Sequence, residues 1–352
     1  MRRVWPAAVA RVKEEVADMQ ALAARQGANI TIEPWDYLFY AEQVRRERYD
    51  LDQNELRQYF VLDNMMAGAF YMAEQLYGLS FAEISGTVPV FHPEVRVFEV
   101  KDRDGSHRGL FYLDNFARTG KRSGAWALGY RSHQTFTGTR IRPVTSNNNN
   151  FVRAAEGKPV LISLADAAVL FHEFGHALHG LLSEVNYPGL GFTPRDYVEY
   201  PSQVHEHWVL SRPILDRFAL HHETGKPLPQ ELVDRVKKAE TFNQGYETVA
   251  YLSSALVDMA LHHRADGTVD ADAFERETLA RLGMPREMEM RHRLPQFGHL
   301  FSSDAYSAGY YSYLWSEVMD ADTWEKFEAT GNVFDPATAA GMRNIILAEG
   351  NS

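Results

Sequence analysis

Apolar positions recur at helical spacing through the start of the chain. Val9, Val12, Val16, Met19 and Leu22 share one face between Ala7 and Gln26, and Gly27 supplies a stop. The same periodicity predicts helices over 34–48 and 52–77, the second closed by Gly78. From about Ile84 the period shortens. Thr87–Phe91, Val95–Val100, Gly109–Leu113 and Arg140–Val144 are short β-branched or aromatic runs between Gly- and Asp-containing turns, the pattern of a small antiparallel sheet. The polar run Ser146-Asn147-Asn148-Asn149-Asn150 reads as a solvated loop by turn propensity; the alternative is an edge strand whose amides hold an extended ligand. Helical spacing then returns over 163–182, 200–221, 230–264, 271–282, 305–330 and 336–348. The expected fold class is mostly α with a small antiparallel β-sheet (α+β).

At 352 residues the chain is long enough for a large core, and its 45% hydrophobic and 24% charged content is that of an ordinary globular protein. A net charge of −11 speaks against a nucleic-acid partner, which would call for a basic face. With no cysteine, disulfides, thiol catalysis and thiolate metal sites are excluded. The start, Met1-Arg2-Arg3-Val4-Trp5-Pro6, lacks a sustained apolar run after its basic pair, so no signal peptide is expected. No window approaches the roughly 18 uninterrupted apolar residues of a membrane span. A cytoplasmic protein without membrane or nucleic-acid partners is the expectation.

The chemistry concentrates in Phe171-His172-Glu173-Phe174-Gly175-His176-Ala177-Leu178-His179-Gly180. On a helix, His172 and His176 lie four apart on one face and can turn both imidazoles to one metal ion. Glu173, on the adjacent flank, is placed to act as general base on a water. A catalytic metal needs a third protein ligand. Glu199 is the best candidate, because Pro188, Gly189, Gly191 and Pro194 supply the turn chemistry to reverse the chain before it. Glu184, Glu206 and His205 are open alternatives on spacing alone.

Phe171–Gly180, followed by Asp196-Tyr197-Val198-Glu199-Tyr200-Pro201-Ser202-Gln203, resembles the thimet oligopeptidase and dipeptidyl carboxypeptidase family of zinc peptidases. Its pattern is F-H-E-x-G-H-x-x-H followed by D-[FY]-V-E-x-P-S-Q. The resemblance implies zinc ligands His172, His176 and Glu199, one Zn2+ per chain, and Glu173 as base. Thr193-Pro194-Arg195-Asp196 and Glu206-His207-Trp208 are most similar to the dipeptidyl carboxypeptidase branch. Downstream, His299-Leu300-Phe301 and Tyr306-Ser307-Ala308-Gly309-Tyr310-Tyr311-Ser312-Tyr313 resemble the family's His and Tyr cluster at the substrate cleft. Tyr306, Tyr310 and Tyr313 fall on one face of a predicted helix. Imidazole or phenol donors there would stabilise an oxyanion, so His299, Tyr306 and Tyr313 are read as catalytic and Tyr310 as substrate-binding.

Other matches are less specific. Tyr112-Leu113-Asp114 and Gly120–Trp126 resemble the family's sheet and following turn, where Lys121 and Arg122 could attract a peptide carboxylate. Asp196 and Glu206 are candidates to orient the ligand imidazoles, and His179 a packing or supporting group. Two segments differ from the family: the loop Asn186 to Thr193 is shorter, and Ser302-Ser303-Asp304-Ala305 replaces a glycine run. The resemblance implies a single zincin-like catalytic module over 1–352, with helices to residue 80, a sheet region at 84–150 and the zinc and cleft helices at 160–350. It covers about half of a typical member, without the usual N-terminal helical lobe. The function so implied is hydrolysis of short peptides, dipeptidyl carboxypeptidase-like or as an oligoendopeptidase. The alternative is a catalytically weak peptide-binding scaffold.

Overall fold

The computed structural model describes residues 1–191 and 193–350. The first apolar periodicities become α1 (Trp5–Arg25), α2 (Tyr37–Tyr49), α3 (Gln53–Arg57) and α4 (Leu62–Tyr77). The strands are β1 (Ser80–Glu83), β2 (Arg96–Lys101), β3 (His107–Phe116), β4 (Trp126–Arg131) and β5 (Val144–Phe151). There follow α5 (Leu164–Leu182), α6 (Glu199–Glu206), α7 (Arg212–Phe218), α8 (Gln230–Lys238), α9 (Gln244–His262) and α10 (Ala271–Leu282). The last helices are α11 (Gly298–Phe301), α12 (Ser312–Ala329) and α13 (Pro336–Gly341).

The chain forms two compact units, one from Met1–Asp52 with Gln230–Tyr313 and the other from Gln53–Pro229 with Leu314–Ser352. In the first, α1 packs on α9, and Gly245 permits the approach: a Cβ there would lie 2.7 Å from the Val12 nitrogen. The buried Glu15 carboxylate accepts the Gly245 and Tyr246 amides at 2.8 and 3.0 Å, which satisfies free N–H groups at the start of α9. The helix expected over 230–264 is therefore two helices, separated at Asn243, which takes a left-handed φ of 61°.

The second unit holds the sheet, in order β1-β2-β3-β5-β4. The α+β class holds, but the sheet is mixed rather than antiparallel, because β3 and β5 run parallel while the other pairs are antiparallel. The reason is the connection: after β3 the chain forms β4 at the edge, then returns as β5 between β3 and β4. The Asn run is thus the interior strand β5, with Ser146, Asn147, Asn148 and Asn149 buried, and not the expected solvated loop. Thr87–Phe91 and Arg140–Pro143 lie outside the strands. The helix expected over 52–77 also breaks, because Leu62 N–H donates to Val160 and Ile162 N–H to Phe60, each at 2.9 Å. The helix expected over 200–221 divides at Ser211, whose backbone is extended ahead of Pro213. Core packing against α5 is aromatic: Phe174 lies 5.7, 5.5 and 5.4 Å from Phe70, Phe81 and Phe111. The shortened loop at 186–193 includes Phe192, which lies outside the described residues, as do Asn351 and Ser352.

Candidate metal centre

Helix α5 begins with a capping box, in which Ser163 and Asp166 satisfy each other's backbone amides. Its apolar face goes to the core, leaving His172 and His176 on a flank with rings 5.0 Å apart at 84°. Gly175, between them, decides what can approach that flank. A Cβ there would lie 2.7 Å from Ser202 Cα, 2.8 Å from the Pro201 carbonyl and 3.0 Å from His205 Nδ1, so α6 rests directly on the α5 backbone.

That contact brings in Glu199, the first residue of α6. Its Oε2 lies 3.3 Å from His172 Nε2 and 3.2 Å from His176 Nε2, and it is 1% exposed. The ligand atoms of all three residues lie within 4.8 Å of one another, a group that could hold a metal ion. Two imidazoles and one carboxylate are the donor set expected of a catalytic site with an open position.

Neighbouring groups support the arrangement. His172 Nδ1 donates to Glu206 Oε1 at 2.6 Å, which leaves Nε2 as the nitrogen facing Glu199. The Ser202 hydroxyl donates to the Glu199 carbonyl at 2.7 Å. Burial alone would push the His172 imidazole down, but its hydrogen bonds to Glu199 and Glu206 prevail and raise it to about 10. Burial likewise works to raise Glu199, whose bonds to His172 and His176 instead hold it well below the usual carboxylate range. Both shifts share one cause, the close approach of the Glu199 carboxylate to the two imidazoles.

Glu173 behaves differently. It is 6% exposed, and its Oε2 is buried with no hydrogen-bond partner among the described residues. Burial raises its carboxyl above the ordinary value, against the pull of His176 and His172. A carboxylate so placed is ready to take a proton.

The alternatives for a third ligand are engaged elsewhere. Glu184 pairs with Arg108 at 2.6 Å. His205 donates from Nδ1 to the Pro201 carbonyl and accepts at Nε2 from the Tyr77 hydroxyl at 2.9 Å. Glu206 orients His172. His179 is buried, held down to about 4 by burial and by repulsion from His176 and His205, and its Nε2 lacks a partner among the described residues. Asp196 accepts from the Ser316 hydroxyl at its backbone carbonyl, 3.3 Å away.

Lys121, which by its sequence could attract a peptide carboxylate, has a buried side chain. Its ammonium is buried 3.1 Å from Asp114 Oδ1 and donates to the carbonyls of Asp114, Phe116 and Asn149. Arg122 lies over the Trp126 ring at 4.6 Å. The sequence reading missed this anchor; the local signal is Asp114 near the end of a strand with Arg118 and Lys121 in the turn after it.

The His and Tyr cluster belongs to the other unit. His299 lies 5.4 Å from both Tyr306 and Tyr310, and Tyr306 stacks on Tyr313 at 5.9 Å and 7°. Tyr310 is buried among Phe297, Leu300 and Met290, with Tyr306 and Tyr313 packed beside it. The residues are brought together, though not on one helix face: α12 begins only at Ser312, and Ala308 takes a left-handed φ of 56° that no helix accommodates. His292, beside them, is held down to about 4 by burial and by Arg291 and His299.

Comparison with known proteins bears on the whole chain. The family described as Peptidase family M3 matches residues 1–352. Dipeptidyl carboxypeptidase of Escherichia coli (strain K12) is 40% identical over 358 residues, covering 100% of this chain and 52% of the relative. Oligopeptidase A of the same organism is 35% identical, covering 97% of this chain and 50% of its own length. Probable cytosolic oligopeptidase A of Arabidopsis thaliana is 34% identical, with 98% and 51% covered. The chain spans about half the length of these relatives.

Proposed function

Because the chain belongs to peptidase family M3, we propose that it carries the catalytic machinery of a zinc metallopeptidase that hydrolyses short oligopeptides. His172, His176 and Glu199 are the residues that hold the zinc ion, one per chain. When bound, zinc supplies Lewis acidity and stabilises developing negative charge on oxygen. Glu173 takes the proton of the attacking water and passes it to the leaving amine. Glu206 keeps the His172 imidazole in the tautomer whose Nε2 is free to ligate. In the same reading His299, Tyr306 and Tyr313 supply donors to the oxyanion and Tyr310 binds substrate, supported by the motif resemblance and by their clustering within one unit.

The observation that carries the reading is the buried Glu173 carboxylate, whose Oε2 has no hydrogen-bond partner among the described residues, beside the grouped ligand atoms of His172, His176 and Glu199. For this chain the reading favours release of C-terminal dipeptides over internal cleavage. The higher identity to a dipeptidyl carboxypeptidase, 40% against 35%, supports this. A cytoplasmic setting is part of the reading, with the name of the Arabidopsis relative in its support.

The test is product analysis by mass spectrometry of an octapeptide and its C-terminally amidated form, with and without a chelator. Loss of a dipeptide from the free acid only, abolished by the chelator, is the expected result. Equal cleavage of both forms would reassign the activity to internal cleavage. Peptide binding without chelator-sensitive turnover would favour the scaffold reading.

A further inference from the structure

Asp258, one turn before the end of α9, is 0% exposed, and among the described residues no lysine or arginine pairs with it. Burying a carboxylate without a full countercharge is costly, and an apolar residue would serve the core better. What it binds is backbone. Oδ1 accepts the Ala308 N–H and Oδ2 the Tyr310 N–H, each at 2.9 Å, and His262 Nδ1 approaches Oδ1 at 2.8 Å.

The gripped segment is one that could not hold itself. Ala308 stands at φ 56°, a region alanine disfavours, and it has no side-chain polar group with which to compensate, unlike Asp50 and Asn243, the other non-glycine residues at positive φ among those described. The polar groups around it are also engaged. Gly309 N–H donates to the Tyr306 carbonyl at 2.9 Å, the Ser307 hydroxyl to Leu300 at 3.1 Å, and the Tyr251 hydroxyl to the Tyr310 carbonyl at 2.7 Å. Tyr251, Ser254, Asp258 and His262 recur at three- and four-residue intervals, so one polar stripe of α9 faces this segment. Ser254 Oγ extends the stripe to His292 Nδ1 at 3.2 Å.

We infer that Asp258 is a positioning residue: by clamping two amides on either side of Gly309 it fixes the left-handed turn at Ala308, and with it the ring geometry of Tyr306, Tyr310 and Tyr313 against His299. Its consequence for catalysis rests on the reading of that cluster as part of a peptidase. In Asp258→Asn the shape is kept, but an NH2 group meets a backbone N–H. The turn loses one acceptor and gains a repulsion.

The experiment compares wild type, Asp258→Asn and Asp258→Asn/Ala308→Gly by amide hydrogen exchange, zinc content and steady-state peptide hydrolysis. In Asp258→Asn, exchange in peptides spanning 300–313 is expected to speed up at least tenfold, with peptides spanning 164–182 unchanged and zinc retained. Loss of aligned oxyanion donors lowers kcat and kcat/KM together, by tenfold or more per folded molecule. Glycine adopts the left-handed turn without penalty, so Ala308→Gly is expected to restore several-fold of the lost kcat. A purely structural aspartate would lower the melting temperature and leave kcat per folded molecule unchanged; that result overturns the inference, as does unchanged exchange. Should Asp258→Asn fail to fold, exchange in the wild type decides: Ala308 and Tyr310 amides protected like the core of α9 support the clamp, and loop-like exchange overturns it. If wild type hydrolyses no peptide, the functional reading fails, and with it the consequence of Asp258 for turnover. The exchange comparison then still decides whether the clamp exists.

Discussion

Gly175→Ala tests how the metal centre is assembled. The added Cβ would lie 2.7 Å from Ser202 Cα and 2.8 Å from the Pro201 carbonyl, against the roughly 3.5–4.0 Å of an unstrained contact. Relief needs α6 to move off α5 by about 1 Å, because both nearest atoms are backbone. Overpacking of this kind costs about 1–3 kcal/mol. Replacing a helical glycine by alanine returns about 1 kcal/mol of propensity, so the metal-free fold loses little. Glu199 travels with α6, and its Oε2 now lies 3.2 and 3.3 Å from the two Nε2 atoms. Ligand positions tolerate errors of about 0.2 Å, so binding metal must restore the strained contact and bear that 1–3 kcal/mol. Zinc affinity should fall roughly 5- to 150-fold. Chelator-competition titration measures this, with thermal unfolding of the metal-free protein as control. Zinc affinity within twofold of wild type, in a protein of unchanged stability, would refute the argument that Gly175 sets the approach of Glu199.

Further predictions concern the residues around that contact. Glu206→Gln, which weakens the 2.6 Å bond to His172 Nδ1, should lower zinc affinity or turnover roughly 10- to 100-fold, measured by the same competition titration and by peptide hydrolysis. Lys121→Met should destabilise by roughly 2–4 kcal/mol in urea unfolding, because three carbonyls and part of the Asp114 charge lose their partner. KM should stay unchanged, and a raised KM without destabilisation would return Lys121 to a role in binding peptide carboxylates. Asp114 gives a pH signature. Burial would raise its carboxyl, but Arg118 and Lys121 outweigh it and hold it below the ordinary value. Its folded value being depressed, its contribution is fully present above the unfolded value of about 4 and is lost as pH falls through the folded value. The stability gap between wild type and Asp114→Asn should therefore be constant from about pH 5 to 8 and narrow below pH 4; a gap unchanged down to pH 3 would contradict this.

Much of the centre was legible because its logic is local. The i, i+4 spacing of His172 and His176 needs only a helix, and the capping box at Ser163 starts one there. Glu199 was within reach once its surrounding motif was recognised, whereas spacing alone could not separate it from Glu184, Glu206 or His205. That choice depends on Arg108, His172 and Tyr77, partners 76, 34 and 128 positions away. The sheet was harder. An asparagine run carries turn propensity, and nothing local says that β5 will be covered by α5 and flanked by β3 and β4. The tyrosine segment misled for a similar reason. Its helical spacing is real, but Asp258, some 50 positions earlier, takes the Ala308 and Tyr310 amides and delays α12 to Ser312. In both places tertiary capture of backbone groups overrode local propensity.

In the proposed mechanism His172, His176 and Glu199 hold zinc while Glu173 moves the proton. Glu173→Gln separates the two roles in one preparation, assayed for zinc content and for turnover of a fluorogenic peptide. One zinc per chain is expected, as in wild type, with turnover reduced by about a thousandfold or more. Turnover equal to wild type at full zinc occupancy would contradict it.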